Sequence, residues 1–138
     1  MEFKRILVPV ELSGRNTHAI DAALHFTHPG GLITLLHVVE TIDAPYEELE
    51  TFYRNLGDKA REVMETLSAP LREADILLEA HVRYGHRVRE IVRFAHDKSH
   101  DLILLESHRL TPKNAARLWT SISHQVAVLA QCPVLLVK

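Results

Sequence analysis

Residues 101–138 read DLILLESHRLTPKNAARLWTSISHQVAVLAQCPVLLVK and carry the clearest structural pattern of the chain. The apolar run 101–105 is short enough to be a buried strand, and a second apolar run, 134–137, closes the stretch. Between them, apolar residues recur at the spacing of one helix face at Ile122, Val126, Leu129 and Ala130. The order is strand, long loop, helix, strand. In an open parallel sheet, the loop after a strand's carboxyl end is where ligands bind.

The remaining sequence repeats the alternation of short apolar runs with helical periods. We predict strands at 3–10, 32–39, 76–83, 101–106 and 133–137. Strict alternation predicts an α/β fold, a single-domain open parallel five-stranded sheet with helices on both faces, spanning residues 1–138. Right-handed crossovers leave the strand orders 2-1-3-4-5 and 3-2-1-4-5 among the few topologies open.

Local signals predict where the helices begin and end. Ser13 is placed to cap the first helix, and His28-Pro29-Gly30-Gly31 should stop it. The second helix should run from about Tyr46 to about Ala74. Pro70 should kink or split this helix near its end, and Gly57 is a second irregularity within it.

Composition limits the classes of function. The chain has 138 residues, 46% hydrophobic and 25% charged, with a formal net charge of −2. This near balance predicts neither nucleic acid nor an anionic membrane surface as a partner. No apolar run approaches the roughly 20 residues of a membrane helix, and a strand is reached by Ile6, so we expect no secretory signal. One cysteine, with no internal disulfide, favours the cytoplasm.

Histidine and cysteine are the candidate reactive side chains. Of ten histidines, His25 and His28 lie three apart on one predicted helix, and His96 and His100 lie four apart near another helix end. Such pairs can ligate a metal, but no cysteine or carboxylate cluster joins them, and we predict no metal site. Cys132 is predicted to be a buried, inert thiol. Without a nucleophile–base signature, we expect no catalytic residue and a binding protein rather than an enzyme.

Four segments support a family resemblance. They are ILVPVELS at 6–13, LLHVV at 35–39, DLILLESH at 101–108 and CPVLLV at 132–137. Each falls at a predicted strand end, and together they make the whole chain resemble the universal stress protein family. The resemblance implies the strand order 3-2-1-4-5.

The family's ATP-binding members carry glycine, two residues, glycine, nine residues, then glycine and a serine or threonine. Glycines let the backbone approach the phosphates closely. In this chain Glu106 and Arg109 stand at the first two glycine positions, and the third glycine is also absent. The hydroxyl position falls on Thr120 or Ser121, depending on how the loop is counted. The resemblance therefore implies that the phosphate cradle has been lost.

The resemblance implies that the rest of the family's nucleotide pocket, its adenosine half, is partly present. Glu11 stands where the family has an acidic residue for the ribose, Val38 where the backbone faces adenine, and Leu105 where a bulky apolar residue lies. The loop is also locally basic, either as a solvated segment or as an anion site made of side chains. If a nucleotide or anion binds, the resemblance and the strand ends assign it to Pro9, Val10, Glu11, Val38, Leu105, Glu106, His108, Arg109, Thr120 and Ser121.

We therefore expect a cytoplasmic, dimeric regulatory or binding module of the stress response, without ATP binding and without a cofactor. The alternative is a protein that binds ATP or AMP, with at most a slow ATPase activity. A third hypothesis is an anion- or metal-responsive sensor. The homodimer should form through the last strand, Val134, Leu135, Leu136 and Val137, which is apolar on both faces and lies at a sheet edge in the order 3-2-1-4-5.

Overall fold

Strands and helices alternate along the chain. The computed structural model describes residues 2–12, 16–42, 46–107 and 121–138. In chain order the elements are β1 (Phe3–Pro9), α1 (Thr17–Phe26), β2 (Thr27–Glu40), α2 (Tyr46–Leu71), β3 (Leu77–Gly85), α3 (Arg87–Asp97), β4 (Leu102–Glu106), α4 (Ile122–Leu129) and β5 (Val134–Val137). In the described part of the chain, none of these helices is long and apolar enough to cross a membrane.

The five strands form one sheet in the order β3-β2-β1-β4-β5, and every neighbouring pair is parallel. This confirms the predicted α/β fold and the strand order that the resemblance implied. The sheet has β1 at its centre and β3 and β5 at its edges. The carboxyl ends of all five strands therefore meet at one edge of the sheet, because parallel strands run in the same direction.

The core consists of two clusters, one on each face of the sheet, because successive side chains of a strand point to opposite faces. Ile6 and Val8 of β1 belong to the α1/α2 cluster, where they pack with buried residues of α1 and α2 such as Ile20 and Met64. Leu7 belongs to the α3/α4 cluster, whose helix residues come from α3 and α4. Helices thus cover both faces, as predicted.

The predicted start of the second strand is wrong. Strand β2 begins at Thr27, directly after α1, and not at Leu32. Phe3 pairs with Thr27 but Arg5 pairs with Leu32, so the register shifts between them and residues 28–31 form an irregularity in the strand. Gly30 has φ +78, a conformation that favours glycine. The turn-forming residues thus interrupt the pairing locally instead of forming a separate loop.

The early start of β2 also places His25 and His28 in different elements. His25 lies in the last turn of α1, whereas His28 lies in β2. The prediction that the two share one helix face is therefore wrong. His28 is exposed, and its Nδ1 lies 2.7 Å from the carbonyl oxygen of Pro29.

Helix α1 begins later than predicted. Its first residue is Thr17 and its N-cap position is Asn16, so the predicted cap at Ser13 is wrong; Ser13 itself lies outside the described residues. The Asn16 side chain makes no capping hydrogen bond to the helix. It serves the preceding loop instead, as described below.

The two irregular residues of α2 have different consequences. The helix is continuous to Leu71, so Pro70 lies in its last turn and does not split it; a proline near a helix end removes fewer hydrogen bonds than one in the interior. Gly57 is buried, and a Cβ built there would overlap the hydroxyl of Tyr84 on β3 and lie 3.3 Å from its Cζ. Glycine at this position lets the Tyr84 ring approach the helix.

Candidate functional site

A cavity of about 400 Å³ lies at the carboxyl ends of β1, β2 and β4. Its walls are largely apolar and include Leu36, Val38, Ile91 and Leu105. The polar side chains in its lining are Glu11, Asn16, His37, Glu40, Arg87, Glu106 and Ser123. An apolar cavity with a few polar groups at the carboxyl edge of a parallel sheet is the usual form of a small-molecule site.

The structure brings most of the predicted site residues together. Six of them line this cavity: Pro9, Val10, Glu11, Val38, Leu105 and Glu106. Ser121 lies at the N-cap of α4, where its side-chain oxygen accepts a hydrogen bond of 3.1 Å from His124 N. The next residues of α4, Ile122 and Ser123, line the cavity. His108, Arg109 and Thr120 lie outside the described residues.

Asn16 fixes the loop that carries Glu11. Its Oδ1 accepts a hydrogen bond of 2.9 Å from Glu11 N, and its Nδ2 donates one of 2.8 Å to Glu11 O. Asn16 is 2% exposed, and these two bonds pair its side-chain amide, which would be costly to bury unpaired. The backbone of Glu11 is thereby held in one position at the rim of the cavity.

His37 lies in the cavity lining and links β2 to the residue that follows β1. Its Nδ1 lies 2.8 Å from the carbonyl oxygen of Val10. Because a carbonyl only accepts, Nδ1 carries the hydrogen. Burial lowers the pKa of His37, the hydrogen bond to Val10 opposes this, and the charge of Arg87 lowers the pKa further. The ring is therefore neutral at neutral pH.

Glu106 is the last residue of β4 and is half-buried, with 21% of its side chain exposed. One carboxylate oxygen, Oε1, lies 3.3 Å from Nδ1 of His18 on α1. The other oxygen, Oε2, is buried and accepts no hydrogen bond from the described residues. A buried acceptor without a donor is unusual in a folded protein.

The charged groups of the lining are mainly negative. Three carboxylates, those of Glu11, Glu40 and Glu106, line the cavity together with one guanidinium, that of Arg87. Arg87 is the first residue of α3, and it forms no ion pair with another described residue. It follows β3, whereas Glu106 ends β4, so the two lie on opposite sides of β2 and β1 in the sheet.

The lining also includes Arg87, Asn16, Glu40 and His37, which were not predicted as site residues. The carboxyl-end rule that indicated the loop from Glu106 applies equally to Glu40 at the end of β2 and to Arg87 just after β3. The sequence therefore contained a signal for these two residues. It contained none for Asn16, whose importance comes from one pair of hydrogen bonds.

The other reactive side chains lie away from this cavity. Across residues 2–12, 16–42, 46–107 and 121–138, no group of three or more His, Cys, Asp or Glu side chains is placed to hold a metal ion. His100 is buried, with Nε2 3.0 Å from the hydroxyl of Thr34. Cys132 is half-buried, and burial raises the pKa of its thiol, which disfavours the reactive thiolate.

Comparison with known proteins adds a family signature and a close fold match. The signature of the Universal stress protein family matches residues 2–138. Universal stress protein YxiE of Bacillus subtilis (strain 168) is 24% identical over 148 residues, covering 99% of this chain and 99% of that protein. The solved structure of hypothetical protein MJ0577 superimposes with a TM-score of 0.80 at 26% identity, covering 100% of this chain and 97% of the other.

Two further structures of the same fold contain nucleotides. A universal stress protein family protein from Arabidopsis thaliana with AMP bound has a TM-score of 0.70 at 19% identity, over 98% of this chain and 91% of that one. A universal stress protein in complex with cAMP has a TM-score of 0.65 at 18% identity, over 100% of this chain and 98% of that one. At these identities the likeness is one of fold.

Proposed function

This chain belongs to the universal stress protein family, and from that membership we propose that it is a regulatory binding module of the stress response that does not bind ATP with useful affinity. It acts in the cytoplasm as a homodimer and is not an enzyme. The observation that carries this proposal is the carboxylate of Glu106 in the cavity wall at the end of β4.

Electrostatics oppose a triphosphate in this cavity. Glu106 contributes a negative charge that is only partly exposed to water, and Glu11 and Glu40 line the same space. Two like charges about 6 Å apart repel by roughly 3 kcal/mol at an effective dielectric constant of about 20. Arg87 is the one cationic side chain among the described lining residues, and a single guanidinium does not balance the half-buried carboxylate of Glu106 and a triphosphate.

The backbone after β4 also disfavours a triphosphate. In ATP-binding members of the family two glycines follow the fourth strand, and here Glu106 and Arg109 stand at those positions. Side chains there obstruct the close approach of backbone amides to phosphate oxygens. Loss of two or three charge-assisted hydrogen bonds, at about 1.5–3 kcal/mol each, weakens binding by two or more orders of magnitude.

The second candidate function is the binding of ATP or AMP, with at most slow ATPase activity. It is favoured by the cavity of about 400 Å³, which falls within the usual range of about 300–1,000 Å³ for small-molecule sites. It is also favoured by the AMP and cAMP seen in two proteins of this fold. The apolar wall formed by Val38 and Leu105 suits a flat base.

The edge strand β5 supports the homodimer. All four of its residues are half-buried, Val134 and Leu136 against the α3/α4 cluster and Leu135 and Val137 against the α1/α2 cluster. Beyond β5 there is no further strand in the sheet of described residues, so its outer backbone groups are available for pairing with a second copy. Such a contact about a twofold axis is the commonest symmetry of small oligomers.

Calorimetric titration with Mg-ATP tests the proposal. The unaltered protein should show no binding with a dissociation constant below about 1 mM. The double variant Glu106→Gly, Arg109→Gly should bind ATP more tightly. The control Glu73→Gly removes an exposed carboxylate that is absent from the cavity lining and should change nothing. Micromolar binding of ATP by the unaltered protein would overturn the proposal and support the second candidate.

A further inference from the structure

We infer that the preferred ligand of the cavity is a neutral nucleoside, and that Glu106 is the residue that selects the nucleoside against its phosphorylated forms. This inference rests on the proposed function, since it concerns the same cavity. Its basis is the hydrogen bonding and the negative charge of Glu106, which together define a class of ligand and make this residue the determinant of specificity.

The carboxylate of Glu106 requires donors. Its Oε1 lies 3.3 Å from Nδ1 of His18, and Oε2 is buried without a donor from the described residues. An ionised carboxylate only accepts hydrogen bonds. A ligand group that satisfies it must therefore carry O–H or N–H. Rotation about the last bond of a glutamate side chain is soft, so either oxygen can turn toward a ligand in the cavity.

A nucleoside and a nucleotide differ in this property. The hydroxyl groups of a ribose and the amino group of a base such as adenine are donors. A phosphate monoester has a second pKa near 6, so at pH 8 it carries about two negative charges and offers acceptor oxygens alone. Placed beside Glu106, a hydroxyl gains a charge-assisted hydrogen bond. A phosphate in the same place gains none and is repelled.

The rest of the lining does not reverse this preference. Arg87 lies on the β3 side of the cavity, where it could attract a phosphate, but Glu40 at the end of β2 lines the same side. On the β1 side Glu11 adds a third carboxylate, on a backbone held by Asn16. Between these groups the walls are apolar and suit an uncharged base. The described lining thus favours a neutral ligand with several donors.

The test compares adenosine, AMP and ATP by calorimetry at pH 8 on the full chain and on Glu106→Gln. This substitution keeps the size of the side chain, so the variant should fold, and circular dichroism verifies that it does. The unaltered protein should bind adenosine at least about tenfold more tightly than AMP, and it should bind AMP more tightly than ATP. In Glu106→Gln the ratio of adenosine to AMP affinity should fall by about tenfold, because the negative charge is gone.

The matched control is Glu73→Gln, which makes the same change in net charge at an exposed site outside the cavity lining and should leave the ratio unchanged. AMP bound as tightly as adenosine, or a ratio that does not respond to Glu106→Gln, would overturn the assignment of Glu106. No binding of adenosine at millimolar concentration would overturn the nucleoside inference while leaving the proposed function standing. Micromolar ATP binding would overturn both.

Discussion

The side-chain amide of Asn16 makes two hydrogen bonds with the backbone of Glu11. Nδ2 donates to Glu11 O at 2.8 Å, and Oδ1 accepts from Glu11 N at 2.9 Å. The amide therefore reproduces the pairing of a neighbouring strand just beyond the end of β1. Since Asn16 occupies the N-cap position without capping α1, its side chain contributes to the shape of the site rather than to the helix.

Replacing Asn16 should destabilise the fold. Asn16→Ala removes two hydrogen bonds to the partly buried backbone of Glu11 and should lower the unfolding free energy by about 1–3 kcal/mol, at about 0.5–1.5 kcal/mol for each bond. Asn16→Asp should also destabilise, because a carboxylate oxygen would face Glu11 O where Nδ2 now donates. Urea denaturation measures both. The control, Asn55→Ala, removes an exposed asparagine inside α2 and should be neutral or slightly stabilising. An Asn16→Ala protein as stable as the unaltered chain would contradict this account.

Gly57 and Tyr84 should behave as a coupled pair. Alanine is better than glycine in a helix by about 1 kcal/mol, but a Cβ at position 57 overlaps the Tyr84 hydroxyl. We expect Gly57→Ala to lower the unfolding free energy in the unaltered background. In a Tyr84→Phe background, where Cζ still lies 3.3 Å from the added Cβ, the same change should be less destabilising or should stabilise by up to about 1 kcal/mol. Thermal or urea denaturation of the double-mutant cycle gives the coupling. Equal effects of Gly57→Ala in both backgrounds would show that the hydroxyl does not matter.

His100 should make the stability fall at acidic pH. Burial, helped by the charge of Arg5, lowers its pKa from 6.5 to about 4. Above pH 6.5 the imidazole is neutral whether the chain is folded or unfolded, and between pH 6.5 and 4 only the unfolded chain takes up the proton. Unfolding therefore becomes easier as the pH falls through this range, by about 3 kcal/mol in total.

Urea denaturation at a series of pH values measures this slope. His100→Gln removes the titrating group and should flatten the loss between pH 6.5 and 4, leaving the part due to His37, whose pKa burial also lowers. His96→Gln, at an exposed position of α3, should keep the slope of the unaltered protein. If the unfolding free energy of His100→Gln depended on pH as steeply as that of the unaltered protein, the acid sensitivity would come from other groups.

The proposed dimer should depend on β5. Leu135→Lys and Leu136→Lys, tested separately, each place a charge on this edge strand and should raise the dimer dissociation constant by about tenfold or more. Light scattering at high micromolar concentration measures the association, and circular dichroism establishes that each variant is folded. Leu77→Lys is the control, since Leu77 is 65% exposed on β3, the opposite edge strand. A monomeric unaltered protein, or a dimer insensitive to both substitutions, would refute the interface.

Much of the fold could be predicted from the sequence because the buried strands are short, continuous apolar runs. Leu104 in β4 is 0% exposed, as the run 101–105 indicated. The start of β2 could not be predicted. His28-Pro29-Gly30-Gly31 has the composition of a turn, and only the pairing of Thr27 with Phe3, a contact between distant segments, makes the strand begin early.

The site was predictable in part. The carboxyl-end rule indicated the loop that begins at Glu106, the family resemblance indicated Glu11 and Val38, and all three residues line one cavity. The partners that set their environment were not predictable. The contact of Glu106 with His18 joins β4 to α1, and no spacing in the sequence indicates that these two side chains meet.

The division of the core by the sheet has a consequence for how the protein can evolve. Leu36, Val38, Ile91 and Leu105 belong to the α3/α4 cluster and also form walls of the cavity. Met64 and Leu71 in the α1/α2 cluster are as deeply buried but are absent from those walls. Substitutions in this second group change folding without touching ligand contacts. Selection can therefore adjust thermal tolerance at such positions without altering recognition.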